Sequence, residues 1–224
     1  MTDLLNVALR DELLNMVEAD QAIRGEASKD PSAYRPDVDH RHTKRMKQII
    51  DEYGFPGKSQ VGSGGAKAAW LLIQHADHEP EFQQRCLPLI HEAGLLGEIE
   101  LERCAYLEDR VRLNTHRNQL YGTQWRVIEP TRISVRPLED ASRVDELRAN
   151  LGIPPLRKLM AEGLSEIYSI QVLKCGPSNL KIELEGFEGR LTRARVVDGE
   201  NIYDIQMEWS DNNLEVCVIG VGTY

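Results

Sequence analysis

The sequence predicts an α+β protein: a mainly α-helical N-terminal body over residues 1–164, followed by a small C-terminal antiparallel β meander over 165–224. Two observations predict it. Apolar residues recur at spacings of three and four through the first part and at spacing two from Ser165 onward. Composition changes at the same place. Residues 1–164 carry 22 basic and 26 acidic side chains, net −4, and all six histidines, whereas 165–224 carry 5 basic and 10 acidic, net −5, and no histidine.

The elements follow in order. Leu5, Leu9, Leu13, Met16 and Val17 stand at helical spacing within 3–26, with Asp3 near the start and Gly25 near the end. A polar stretch, Glu26–Asp39, carries Pro31 and Pro36 and reads as a loop. A second helix over 41–53 is stopped by Gly54 and Pro56, and Gly62–Gly65 open a third, whose small residues permit close packing. Helices over 80–95 and 98–114 are separated by Gly94 and Gly97. After Asn114 the pattern breaks into a turn and extended region, and short helices return at 140–150 and 154–163. Five strands are expected at 167–174, 180–184, 190–197, 202–209 and 214–221, joined by turns rich in Gly, Asn and Asp.

The whole chain has 224 residues with a net charge of −9, which argues against sequence-independent binding of nucleic acid. Apolar runs such as Ala66–Ile73 are far short of the roughly 20 residues that span a bilayer, so no membrane insertion is expected. The N-terminus lacks a basic segment followed by an apolar one, and the four cysteines are too scattered for a disulfide framework. The expected location is the cytoplasm.

Polar groups on apolar helical stripes single out a candidate site. Leu9, Leu13 and Met16 lead by helical steps to Asp20 and Arg24, with Gln21 beside them. Asp20 and Arg24 form an i,i+4 pair, which also suits a solvated last turn. Asp109 stands in the stripe Leu101, Ala105, Asp109, Leu113, and a buried carboxylate needs a cation or donor facing it. His75 follows Leu71 and Leu72 and faces inward or into a cleft. A histidine beside a buried carboxylate is the minimal unit of general base chemistry. The pairs His75/His78 and His40/His42 offer a metal-site reading, but they come from unlike segments, and the reading adopted uses neither metal nor cofactor. Gly62–Gly65 at a helix start would present N–H groups to an anion, yet the run matches no nucleotide-binding pattern. Gln119–Gln124 is dense in donors around Gly122 and suits either a pocket wall or a capping turn.

Five motifs occur in order: Asp20-Gln21-x-x-Arg24, Gly54-Phe55-Pro56, Gln74-His75-Ala76-Asp77, Asp109-Arg110-Val111 and Tyr121-Gly122-Thr123-Gln124. Together they resemble an uncharacterised bacterial domain family of unknown function, over about residues 4–155. The family more often has Trp at the position of Phe55. The resemblance implies a helical fold and a shared polar cluster in which Asp20, Gln21, Arg24, His75, Asp109, Arg110, Tyr121 and Gln124 converge; it brings no activity. The β region lies outside it, although Cys175–Ile182 bears a faint likeness to small β modules of bacterial immunity proteins.

Two functions remain open on the sequence, with small-molecule sensing a third that differs from the first only in lacking turnover. In the first, His75 is the catalytic base or acid and Asp109 orients it. Arg24 or Arg110 then binds an anionic group of a small polar substrate, and Asp20, Gln21, Tyr121 and Gln124 help to hold it, for hydrolysis or transfer. In the second, the acidic chain is a non-catalytic binding or toxin-immunity protein that meets a basic protein partner, and the polar cluster is a structural network.

Overall fold

The computed structural model describes residues 5–129, 132–156, 180–185, 191–198, 201–210 and 213–223. They fall into two compact units, one within Met1–His116 and one within Arg117–Tyr224. The fold class is α+β, as expected. The boundary expected at residue 164 and the strand expected at 167–174 lie outside the described residues.

The first unit holds five helices: α1 (Val7–Ala27), α2 (Pro36–Tyr53), α3 (Lys58–Gln74), α4 (Pro80–Leu95) and α5 (Glu102–Asn114). Asn6 caps α1, its side chain accepting the Leu9 N–H at 3.0 Å. Helix α2 starts five residues earlier than expected, inside the stretch read as a loop. Pro36 at its first turn explains why: its missing N–H costs nothing there and its φ is already helical. Helix α3 likewise starts before the glycine run, and Gly62 (φ 72°) kinks it.

Within the glycine run, a Cβ on Gly65 would stand 2.8 Å from the Val61 side chain one turn earlier in α3, so glycine relieves crowding inside that helix. Helices α1 and α3 run parallel. Asn6 N–H donates to Gln60 O at 2.7 Å near their starts, and Asp20 meets His75 at their ends. Leu13, Met46, Ile49, Ile73, Ile90 and Leu107 are fully buried between the helices and form the centre of the core. Burying each contributes about 2 kcal/mol.

The second unit contains β1 (Trp125–Glu129), β2 (Arg132–Val135), a short helix α6 (Val144–Asn150), β3 (Leu180–Glu185), β4 (Leu191–Asp198), β5 (Asn201–Ser210) and β6 (Asn213–Thr223). The strands form one antiparallel sheet in the order β1-β2-β6-β5-β4-β3. Four of the expected strands are β3 to β6. Asp198 pairs with Asn201 and Ser210 with Asn213, the outer residues of two of the expected turns; the other two expected turns lie outside the described residues. The extended region after Asn114 supplies two more strands, because β2 continues the sheet along β6, with Ile133 opposite Val216. Such short strands are stable only when added to an existing sheet edge.

Among the described residues, no helix is long and apolar enough to cross a membrane.

Candidate functional site

The polar cluster forms where the ends of α1 and α3 meet the start of α2. Asp20 sits in the last turns of α1 and is 2 % exposed. Three side chains satisfy it: Gln21 Nε2 donates to Oδ2 at 2.7 Å, Arg24 Nε to Oδ1 at 3.0 Å, and His75 Nδ1 lies 2.8 Å from Oδ2. Arg24 continues the chain of contacts, its Nη2 donating to both oxygens of Asp39 on α2 at 3.1 and 3.0 Å. Tyr34 Oη donates to Asp39 as well. Burial disfavours the Asp20 anion, but the hydrogen bond and charge of His75, the charge of Arg24 and the Gln21 amide outweigh it, so its pKa is lowered. The Arg24 guanidinium, despite its own desolvation, is raised by Asp20 and Asp39.

These contacts decide the tautomer of His75. An ionised Asp20 can only accept, so the 2.8 Å contact requires the proton on Nδ1, and Arg24 Nε, 3.0 Å from both, donates to Asp20. In the neutral ring the lone pair is then on Nε2, which makes no hydrogen bond within the described residues. A carboxylate-held imidazole with an open Nε2 has the geometry of a general acid–base group.

Among the described residues the carboxylate in contact with His75 is Asp20. Asp109 is fully buried on α5, but Cys104, Leu107 and Val111 make the face of that helix that enters the core. Asp109 lies about 200° round the helix from Leu107. Asp20, expected to help hold substrate, is in contact with His75.

Arg110 forms a fork onto Asp77, with Nε to Oδ1 at 2.7 Å and Nη2 to Oδ2 at 2.5 Å. Asn114 Nδ2 adds a bond to the same carboxylate at 2.9 Å. Partial burial opposes the Asp77 charge, but these donors prevail and its pKa is lowered. Gln83, fully buried on α4, donates to the carbonyls of Ile73 and Gln74 at 3.1 and 3.0 Å and so closes the end of α3 just before His75.

Two lowered carboxylates give a signed prediction. A depressed carboxyl stabilises the fold above the usual Asp range near 3.9, and that contribution is lost as pH falls through the lowered value. Urea unfolding midpoints should therefore drop below about pH 4 in the native chain. Asp20→Asn and Asp77→Asn should each flatten that drop; identical acid profiles in all three proteins would contradict the assignment.

Four of the expected residues thus come together: Asp20, Gln21, Arg24 and His75. Arg110 belongs to the adjoining Asp77 cluster. Tyr121 and Gln124 lie in the second unit, where their segment has an internal scaffold. Gln119 Nε2 donates to the carbonyls of Gln124 and Arg136 at 3.0 and 2.6 Å, and Arg148, fully buried, donates to the carbonyl of Tyr121 at 2.6 Å. Gln124 Nε2 reaches Thr123 Oγ1 at 3.2 Å.

The family model that matches this chain is a family of unknown function (DUF6624), over residues 7–173. The chain belongs to this family. No curated protein and no solved structure matches it. Within this member of the family, the matched range includes every residue of the His75 cluster.

Tyr34 and Asp39 are the site residues that sequence reasoning missed. The signal was present for Asp39: a helix starting at Pro36 puts Asp39, Thr43, Met46 and Ile50 on one buried stripe, an anomaly of the same kind as Asp20. Among the described residues there is no group of three or more His, Cys, Asp or Glu that could hold a metal. His40 and His78 do meet, but as stacked rings 4.2 Å apart. Burial pushes the thiols of Cys86 and Cys104 up to about 12 and about 11, so neither is a nucleophile at neutral pH.

Proposed function

We propose that the protein is a metal-independent acid–base enzyme, a hydrolase or transferase acting on a small polar or anionic substrate. His75 Nε2 exchanges the proton and Asp20 holds the ring and stabilises its cationic form. The observation that carries this reading is the 2.8 Å Asp20–His75 contact with Nε2 left without a protein partner among the described residues. Arg24 also supports it: with Nε and Nη2 committed to Asp20 and Asp39, Nη1 has no hydrogen-bond partner among the described residues and can meet an anionic group.

The test is a substrate screen of the purified chain against carboxylic esters, phosphoesters and amides, repeated with His75→Asn. Turnover of any hit should fall by about 10²–10⁴-fold in the variant. Asp20→Asn should also lower turnover and should alter the pH profile, because the ring loses its anionic partner. A hit whose turnover is undiminished in both variants would sink the assignment.

The second reading is a non-catalytic protein that binds a basic partner. Its support is the net charge of −9 together with the fact that Asp20, Asp39 and Asp77 are all paired by side chains, as a purely structural network would be. An inert substrate screen, combined with salt-sensitive capture of a basic protein from the source cell, would favour it.

A further inference from the structure

One motif of the ordered set, Gly54-Phe55-Pro56, has no part in the His75 cluster. It lies at the other end of α2, about 27 Å along the helix from Pro36. There Gly54 and Phe55 line a cavity of about 380 Å³ together with residues from the start of α3 and the end of α4. Phe55, Leu89 and Leu96 supply apolar wall, and Glu92 and Glu98 supply carboxylates. Leu96 and its neighbour Leu95 are 71 % and 67 % exposed, the most exposed of the large apolar side chains among the described residues.

Backbone chemistry fixes Glu98 at this cavity. Its carbonyl accepts the Lys58 N–H at 2.9 Å, and its Oε2 accepts the Ser59 N–H at 2.7 Å. A Cβ on Gly57 would fall 2.5 Å from that Oε2 and 2.7 Å from the Glu98 Cβ, so only glycine allows the approach. Glu98 Oε1 and the whole Glu92 carboxylate meet no cation among the described residues. An apolar wall with uncompensated carboxylates is complementary to a cation carried on an apolar body.

We propose that this cavity is a second binding site, separate from the His75 cluster, for an organic cation: a primary ammonium or guanidinium on an aliphatic or aromatic body. The apolar body lies against Phe55, Leu89 and Leu96, and the cation pairs with Glu92 and the open oxygen of Glu98. The same chemistry is available from a free amine or from a lysine side chain next to a leucine in another protein.

Ligand-observed NMR or calorimetry with 2-phenylethylammonium tests the site, with neutral 2-phenylethanol as its control and an end-blocked Leu-Lys dipeptide as the protein-borne source. Saturable binding of the ammonium, at least about tenfold tighter than the alcohol, is expected. Glu92→Gln should remove most of that preference. Glu98→Gln should weaken it too while keeping an acceptor for Ser59. Tighter binding of the dipeptide than of the free amine assigns the source to a protein, and the reverse assigns it to a small molecule. Absence of saturable binding by either cation, equal binding of the alcohol, or insensitivity to Glu92→Gln overturns the proposal. His75→Asn should leave amine binding unchanged, so the two sites stand or fall separately.

Discussion

Replacing Arg24 by Met should destabilise the helical unit by about 3 kcal/mol at neutral pH, the low end of what breaking a buried pair costs. Arg24 is the cation shared by two carboxylates, with Nε on Asp20 and Nη2 on both oxygens of Asp39. The two acid side chains are only 1 % and 9 % exposed. Methionine keeps most of the apolar stem but leaves both anions in a poorly solvated site. The low end is appropriate because the Arg24 side chain is itself 29 % exposed and water can enter behind it.

The loss has a pH signature of its own. In the variant Asp20 loses one of the charges that hold its carboxyl low, while His75 and Gln21 remain, so protonation costs its fold less than it costs the native one. The stability gap to the native chain then narrows as pH falls below the ordinary Asp range. Urea unfolding followed by Trp fluorescence, at pH 7 and at about pH 3.5, measures both effects. A loss below about 1 kcal/mol at pH 7, typical of a surface pair, would show that the network carries little energy.

Gly122→Ala is the second large effect, expected to cost the sheet-bearing unit about 2–4 kcal/mol. Gly122 has φ 65°, where an L-residue loses roughly 1 kcal/mol. The added methyl would also stand 2.8 and 2.9 Å from the two δ carbons of Leu156, a fully buried side chain that has no room to withdraw. Gly152→Ala separates the two contributions: its φ is 70° but nothing lies within 4 Å of the new methyl, so about 1 kcal/mol is expected there. Near-UV circular dichroism against urea gives the comparison. Equal costs in the two variants would mean that Leu156 yields and that the overlap counts for nothing.

This result bears on how the ordered motifs are understood. Tyr121-Gly122-Thr123-Gln124 was expected to line a pocket or to cap neighbours, and in the structure its segment is tied down by Gln119, Arg148 and Leu156. Gly57 and Gly65 also stand where a Cβ would crowd a neighbour, Gly57 admitting Glu98 to the start of α3 and Gly65 sparing the Val61 side chain within it. Gly57, Gly65 and Gly122 mark close approach of neighbouring atoms, whereas Gly54, Gly62 and Gly152 have none within 4 Å, a difference that composition does not contain.

Much of the fold was legible because periodicity is a local property. The apolar repeat of α1, the Pro80 start of α4 and the alternation of β3 to β6 each arise from residues within one element, and the structure has them close to where the pattern puts them. The start of α2 was misjudged for a reason that is also local, since a proline reads as loop until its place at a first turn is recognised. Strands β1 and β2 were missed because their stability comes from the edge of β6, more than eighty residues away in sequence.

The candidate site divides along the same line. The sequence by itself determined which residues are out of place: Asp20, Arg24, His75 and Asp109 are polar on apolar stripes whatever the tertiary arrangement, because helical spacing alone sets the stripe. Only the tertiary structure decided which carboxylate serves His75. That depends on α1 lying parallel to α3, and on α5 entering the core through Leu107 and Val111, a different face from Asp109. Pairing between helices is set by packing of side chains far apart in the chain, and no pattern within a single helix encodes it.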